Sequence, residues 1–293
     1  MNAVTTEAAT TLRGADLALG FGARNVIDGV SVEIRPGRVT ALVGPNGSGK
    51  TTLLRGLARL HPVSEGRVSL VQDSDGAQAF EQPISALSPR AFAHEVTLFT
   101  QTRVAPQGLS VREVVEFGRH PYRKRFAGLS EEDRAAVESA LNATGVAPMA
   151  DRAAGELSGG ELQRVWLAAC LAQQTGVVLL DEPTNHLDLR YQAETLDLVR
   201  SLAEDRGVAV GVVLHDLDHA ARVADDLILV KSGHIVAAGT PYEVLTAQNI
   251  ELAYEIQVEV FFDERAGRLQ IDPVGRRVPV RLKLLSVTTL LFL

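Results

Sequence analysis

The chain has 293 residues, 46% hydrophobic and 22% charged, an ordinary globular balance that argues against disorder. Its 29 basic and 36 acidic side chains give a formal charge of −7, which disfavours general nucleic-acid binding because that depends on neutralising phosphates. A single cysteine, Cys170, excludes an internal disulfide and fits a reducing compartment.

Residues 1–14 carry neither the basic start nor the apolar stretch of a signal peptide. A spanning helix needs about 20 mostly apolar residues. Val165–Leu180 is uncharged but broken by Gln173–Gly176, and the runs Val208–Leu214 and Leu284–Leu293 are shorter still. The expectation is a soluble chain whose membrane role comes through a partner.

In chain order, residues 12–43 read as β structure. Leu17 and Leu19 alternate, then Val30, Val32 and Ile34, and a Pro36-Gly37 turn follows. Val39–Val43 is a continuous apolar run suited to a strand buried on both faces. A glycine-rich loop comes next, and Thr51–Leu60 has helical spacing. Val68–Val71 and Ala77–Phe80 flank Asp73–Gly76 as a hairpin. From about residue 85 to 165 the signals are mostly helical, interrupted by a strand at Val96–Phe99. Ser130 and Asp133 have N-cap spacing for a helix through Asn142. Beyond that, Val177–Leu180, a helix over Tyr191–Ala203, Val208–Leu214 and a helix over Asp216–Ala224 alternate. The pattern implies an α/β fold with a mainly parallel core sheet. Leu227–Val230 and His234–Ala238 form a hairpin around Ser232-Gly233, and the last 40 or so residues read as a small α+β extension.

Gly44-Pro45-Asn46-Gly47-Ser48-Gly49-Lys50-Thr51 matches G-x-x-x-x-G-K-[ST] between a predicted strand and a predicted helix. Inward-turned loop amides and the helix N-terminus would hold a polyphosphate. Lys50 supplies a point charge for β/γ-phosphates, and the Thr51 hydroxyl is a hard oxygen ligand suited to Mg²⁺. Strand Val177–Leu180 ends in Asp181-Glu182, at the edge where open α/β sheets bind ligands. Asp181 would hold Mg²⁺ through water, and Glu182 would orient and deprotonate the attacking water. His215 ends the next apolar strand and reaches the same edge, where it can hydrogen-bond a γ-phosphate and the catalytic water. His215 and His219, at i and i+4, also permit a metal-site reading, for which the sequence offers no third ligand.

Leu157-Ser158-Gly159-Gly160-Glu161-Leu162-Gln163-Arg164 has capping-box spacing and precedes the acidic strand. Together with the phosphate loop it resembles the signature of ATP-binding-cassette ATPases, over residues 12 to about 275. The resemblance implies a P-loop NTPase fold with an antiparallel β subdomain and a helical subdomain at about 85–165, leaving residues 276–293 as a tail. It implies ATP and Mg²⁺ as cofactors, with phosphate contacts extending from Gly44 to Thr52. Ser158, Gly159, Gly160 and Glu161 would then bind the γ-phosphate of ATP held by a second copy, in a head-to-tail homodimer. Glu161 stands where glutamine is usual. Phe21 resembles the aromatic that stacks on adenine, Gln101 the glutamine that touches Mg²⁺ and water, and Asp188 of Asn185-His186-Leu187-Asp188 the residue that couples two ATP sites.

Glu113–Tyr122, Leu214–Arg222 and Ala238–Leu245 are similar to ATPase subunits of iron–siderophore importers, with haem and cobalamin importer ATPases as neighbours. Glu161 and Asn185 lie closer to the haem and cobalamin patterns. The partners implied are integral-membrane permease subunits and, indirectly, a substrate-binding protein, at the cytoplasmic face of the membrane; no nucleic acid is implied. A non-transport ABC protein is the rival reading. It is disfavoured by the single set of motifs and by the lack of heptads between Thr52 and Glu156. The basic run Arg119–Arg125 reads as a solvated face.

Overall fold

The computed structural model describes residues 10–22, 24–72, 80–100, 106–124, 128–264 and 267–274. The alternating segment at the start folds as β1 (Thr10–Phe21) and β2 (Arg24–Ile34), an antiparallel pair that buries Leu12, Leu17, Leu19, Ile27, Val30 and Ile34. The continuous apolar run follows as β3 (Val39–Val43), with all five residues buried. After the glycine-rich loop, α1 spans Lys50–Leu57. It stops three residues before the expected Leu60, and Arg59 turns into the left-handed region at φ 58°.

Strands β4 (Glu65–Gln72) and β5 (Phe80–Pro83) complete a four-stranded antiparallel sheet in the order β2-β1-β4-β5. The second arm of that hairpin is described from Phe80 onward, and residues 77–79 of the expected arm lie outside the described residues. Its register is fixed by Leu70 opposite Gln82 and by the Ser69 hydroxyl donating to Glu81. The expected turn at Asp73–Gly76 lies outside the described residues.

The helical section holds α2 (Pro89–Glu95), β6 (Val96–Phe99), α3 (Val111–Glu116), α4 (Glu131–Ala143) and α5 (Gly159–Ala172). The last three helices start alike. Ser110 with Glu113, Ser130 with Asp133 and Ser158 with Glu161 each form a reciprocal capping box. Alternation then resumes as β7 (Val177–Asp181), α6 (Leu189–Glu204), β8 (Ala209–Val213), α7 (Leu217–Val223), β9 (Asp226–Lys231) and β10 (His234–Gly239). Helices α8 (Pro241–Val244) and α9 (Ala247–Tyr254) and the antiparallel pair β11 (Val258–Asp263) and β12 (Arg268–Pro273) form the small α+β end of the described chain.

The central sheet has the order β10-β9-β3-β8-β7-β6 and is parallel except for β10. Successive side chains of a strand point to opposite faces, so each buried strand feeds two cores. Val39, Ala41, Val43, Val178, Leu180, Val210 and Val212 face the helices. Leu42, Val177, Leu179, Ala209 and Val213 face α1 and the antiparallel sheet. Gly211 leaves room for side chains on that face: a Cβ there would sit 2.8 Å from Leu179 and 3.2 Å from Ile34 of the antiparallel sheet. Register then sets the site. Leu42 pairs with Val213, and Val213 pairs with Asp181, so the loops leaving β3, β8 and β7 emerge side by side at one edge.

The basic run departs from its expected exposure. Arg119 is only 2% exposed. Its Nε donates to Asp133 at 2.7 Å, its Nη1 donates to the Ala172 carbonyl at 2.9 Å, and its guanidinium lies 3.8 Å over the Tyr122 ring. Arg123 and Lys124 are exposed, and Arg125 lies outside the described residues. Among the described residues, no helix is long and apolar enough to cross a membrane. Residues 276–293 lie outside them.

Candidate functional site

The loop between β3 and α1 takes its shape from backbone that only glycine adopts readily. Gly44, Gly47 and Gly49 have φ of 145°, 77° and 105°. At Gly44 a Cβ would lie 2.0 Å from the Val230 carbonyl oxygen, so no side chain fits. Lys50 is buried at the start of α1, and its Nζ donates to the Gly44 carbonyl at 2.8 Å and the Pro45 carbonyl at 2.9 Å. Burial pushes the Lys50 ammonium below the usual lysine value, against the opposing pull of Glu182 and Asp181.

Directly behind Lys50, Thr51 Oγ1 donates to Asp181 Oδ1 at 2.9 Å. Burial pushes the Asp181 carboxyl above its ordinary range. The Thr51 hydrogen bond opposes this shift, and the neighbouring Glu182 charge adds to it. Two hard oxygens this close, one of them a buried carboxylate lacking a full cation partner, fit a Mg²⁺ ion that keeps several waters. Among the described residues there is no His, Cys, Asp and Glu cluster able to hold a metal by itself, so the His215 and His219 metal reading finds no support.

Glu182 follows the strand with φ 54°, a left-handed conformation costing a non-glycine residue about 1–2 kcal/mol. Its two carboxylate oxygens are separately engaged: His215 Nε2 meets Oε1, and Asn185 Nδ2 donates to Oε2. Glu182 and His215 line one cleft with Asn46, Gly47, Gly49, Lys50, Thr51, Thr52 and Val26. The neighbouring strand ends thus bring together the phosphate loop, the acidic pair and the histidine, as expected from sequence.

The remaining residues stand apart from that cleft. Ser158 caps α5, its hydroxyl and amide both donating to Glu161 Oε2 at 2.8 Å. Those bonds hold the Glu161 carboxyl below its ordinary range. Ser158 and Gly159 are exposed, and none of Ser158–Glu161 lines the phosphate-loop cleft. Asp188 caps α6 by accepting from the Tyr191 amide at 3.0 Å, and the next residue, Leu189, is 81% exposed. Phe21 is 63% exposed at the end of β1, which excludes a core role. Gln101 lies outside the described residues.

Three contributors escaped the sequence reading. Val26 lines the cleft from β2. His61 packs its ring 4.6 Å from Phe21 and is anchored to the Gly20 carbonyl at 2.9 Å. Asn185, read only as part of the loop after the acidic strand, holds Glu182. No local pattern marks Val26 or His61, because each is placed by sheet pairing and loop return rather than by neighbours in sequence.

Comparisons with known proteins agree with this geometry. The family model described as ABC transporter matches residues 27–185. The ferric enterobactin transport ATP-binding protein FepC of Escherichia coli K12 is 40% identical over 274 residues, covering 94% of this chain and 98% of FepC. The cobalamin import ATP-binding protein BtuD of Halobacterium salinarum R1 is 39% identical, covering 91% of this chain and 64% of that protein. Among solved structures, a dimeric bacterial ABC transporter cassette superposes with a TM-score of 0.66 at 25% identity, covering 78% of this chain and 98% of the cassette. The chain belongs to the ABC transporter family, as an ATP-binding, ATP-hydrolysing cassette.

Proposed function

We propose that this ATPase energises uptake of an iron–siderophore complex through a separate membrane permease, from the cytoplasmic face of the membrane. The observation that carries the substrate class is the 40% identity to the ferric enterobactin ATP-binding protein along almost its entire length. In this reading Lys50 and the loop amides from Gly44 to Thr52 bind the phosphates of ATP. Thr51 and Asp181 would hold Mg²⁺, with Gln101 as a further ligand or water contact. When bound, the ion would supply positive charge against the phosphates. Glu182, aimed by Asn185 and His215, orients and deprotonates that water, and His215 also reaches the γ-phosphate. Phe21 stacks on adenine, backed by His61.

The exposed N-terminus of α5 serves a second copy. Ser158, Gly159, Gly160 and Glu161 contact the γ-phosphate bound by the partner, and Asp188 couples the two sites. The wide exposure of Leu189 beside Asp188 supports a surface that closes against another chain. Closure on ATP and reopening after hydrolysis are a shift between two packed states. The helical segment of about 85–165 would pass this shift to the permease, which a substrate-binding protein supplies on the far side.

A haem or cobalamin importer is the second reading, its cobalamin form favoured by the 39% identity to the cobalamin import protein. Uptake of radiolabelled ferric siderophore by cells lacking this chain separates the two. Restoration by wild type but not by Glu182→Gln is expected. Unchanged uptake in cells shown to lack a redundant system overturns the siderophore assignment.

A further inference from the structure

Tyr254, the last residue of α9, is more than 200 positions from the phosphate loop in sequence, yet its side chain ends against that loop's first glycine. The phenol oxygen is buried close to the Gly44 amide but does not reach full hydrogen-bond geometry with it. Burial pushes the phenol up to about 12, so the group is a neutral hydroxyl at every physiological pH. A buried hydroxyl left unpaired is costly, and a core tyrosine with no polar role would be replaceable by phenylalanine.

Around this contact the C-terminal segment is joined to the loop in two further ways. The Val230 carbonyl of β9 closes over Gly44, and the Gly233 amide donates to the Ser48 carbonyl at 3.0 Å. The next residue of β9, Lys231, donates to the Leu252 carbonyl at 2.7 Å and to Glu255 at 2.9 Å, which fixes the end of α9 to the strand. The carbonyl of Gly44, in the peptide that follows this amide, accepts from Lys50 Nζ. When Lys50 engages a polyphosphate, the Gly44 and Pro45 carbonyls lose this donor, and the backbone at Gly44 is free to adjust toward Tyr254.

We propose that Tyr254 is a positioning residue for nucleotide binding: its hydroxyl oxygen accepts a full hydrogen bond from the Gly44 amide in the ATP-bound loop, coupling the C-terminal segment to the phosphate site. The inference rests on the assignment of this loop as the ATP site. Its partner is the loop backbone, so the effect concerns ATP affinity rather than the water attack at Glu182.

The test compares Tyr254→Phe with wild type in the full chain, with Lys50→Ala as the reference for loss of the site. Without nucleotide, Tyr254→Phe should melt at the same temperature as wild type or higher, since no hydrogen bond is lost. Its ATP dissociation constant and KM should rise about two- to ten-fold, the range for one hydrogen bond, with kcat nearly unchanged. Amide exchange gives a second reading: ATP should slow exchange in residues 247–255 of wild type and not of Tyr254→Phe. Equal ATP affinity in the two proteins, or a parallel loss of nucleotide-free stability, overturns the role of Tyr254 and leaves the site intact. Failure of wild type to bind ATP, or unchanged binding by Lys50→Ala, overturns the site assignment instead.

Discussion

Gln163, on the second turn of α5, donates its side-chain amide to the Pro183 carbonyl at 2.7 Å. Pro183 follows Glu182 directly, so one hydrogen bond ties the signature helix to the turn that aims the candidate base. Because Glu182 sits in left-handed backbone, that turn depends on outside support to keep its geometry.

Gln163→Ala should therefore lower kcat about three- to ten-fold while leaving the KM for ATP nearly unchanged, the size expected for one lost neutral hydrogen bond. Gln163→Glu, whose ionised side chain cannot donate to a carbonyl, should do no better. Steady-state ATPase kinetics decide the matter, and a rise in KM at constant kcat would show that Gln163 supports binding instead.

Glu182→Gln preserves the shape of the side chain and its contact with Asn185 while removing the base. Turnover should fall by about two to four orders of magnitude, with ATP binding retained. Light scattering should then show an ATP-dependent dimer that does not reopen. Near-normal turnover would eliminate Glu182 as the base.

The phosphate loop and the acidic strand were legible in sequence because their chemistry is local. Glycines at 44, 47 and 49 are required by backbone angles, and Lys50, Thr51, Asp181 and Glu182 sit within a few residues of a strand end. Their meeting was also foreseeable, since buried apolar runs in β–α alternation form a parallel sheet with a common edge. Arg119 was misread because charge in a short run says nothing of a partner 14 positions away. Its place inside is set by Asp133, which α4 brings to it. Val26, His61 and Tyr254 were silent for the same reason: each reaches the site by long-range return of the chain.

Asp181→Asn tests the electrostatics of the metal position. Burial raises the Asp181 carboxyl, so the folded chain binds this proton more tightly than the unfolded chain does. The associated stability is present below the ordinary carboxylate range and is lost as pH rises through the folded value. At neutral pH the ionised group is a cost, which asparagine removes while still accepting from Thr51. Without Mg²⁺ or nucleotide, the variant should melt higher than wild type at pH 7–8, and the difference should shrink toward pH 4. Mg²⁺-dependent turnover should fall by roughly two orders of magnitude. A lower melting temperature at neutral pH would mean that Asp181 is stabilised by contacts its burial does not reveal.

Arg119 and Asp133 form a pair with side chains only 2% and 8% exposed, joining α4 to the end of α5 through the Ala172 carbonyl. Burial alone would raise the Asp133 carboxyl, but the Arg119 guanidinium and the Ser130 amide and hydroxyl together hold it below the ordinary range. Its contribution is therefore present above the ordinary carboxylate range and lost as pH falls through the folded value. Removing one partner strands a buried charge, so Arg119→Met or Asp133→Asn should each cost about 3–5 kcal/mol in urea unfolding. The double variant Arg119→Met with Asp133→Asn leaves no charge unpaired, keeps an acceptor for Ser130 and should recover most of that loss. The gap between wild type and Arg119→Met should also narrow as the pH is lowered below about 4, where wild type loses its own pair. Two single losses that add in the double variant would mean that the residues act separately, with Arg119 held by the Ala172 carbonyl and Tyr122 rather than by Asp133.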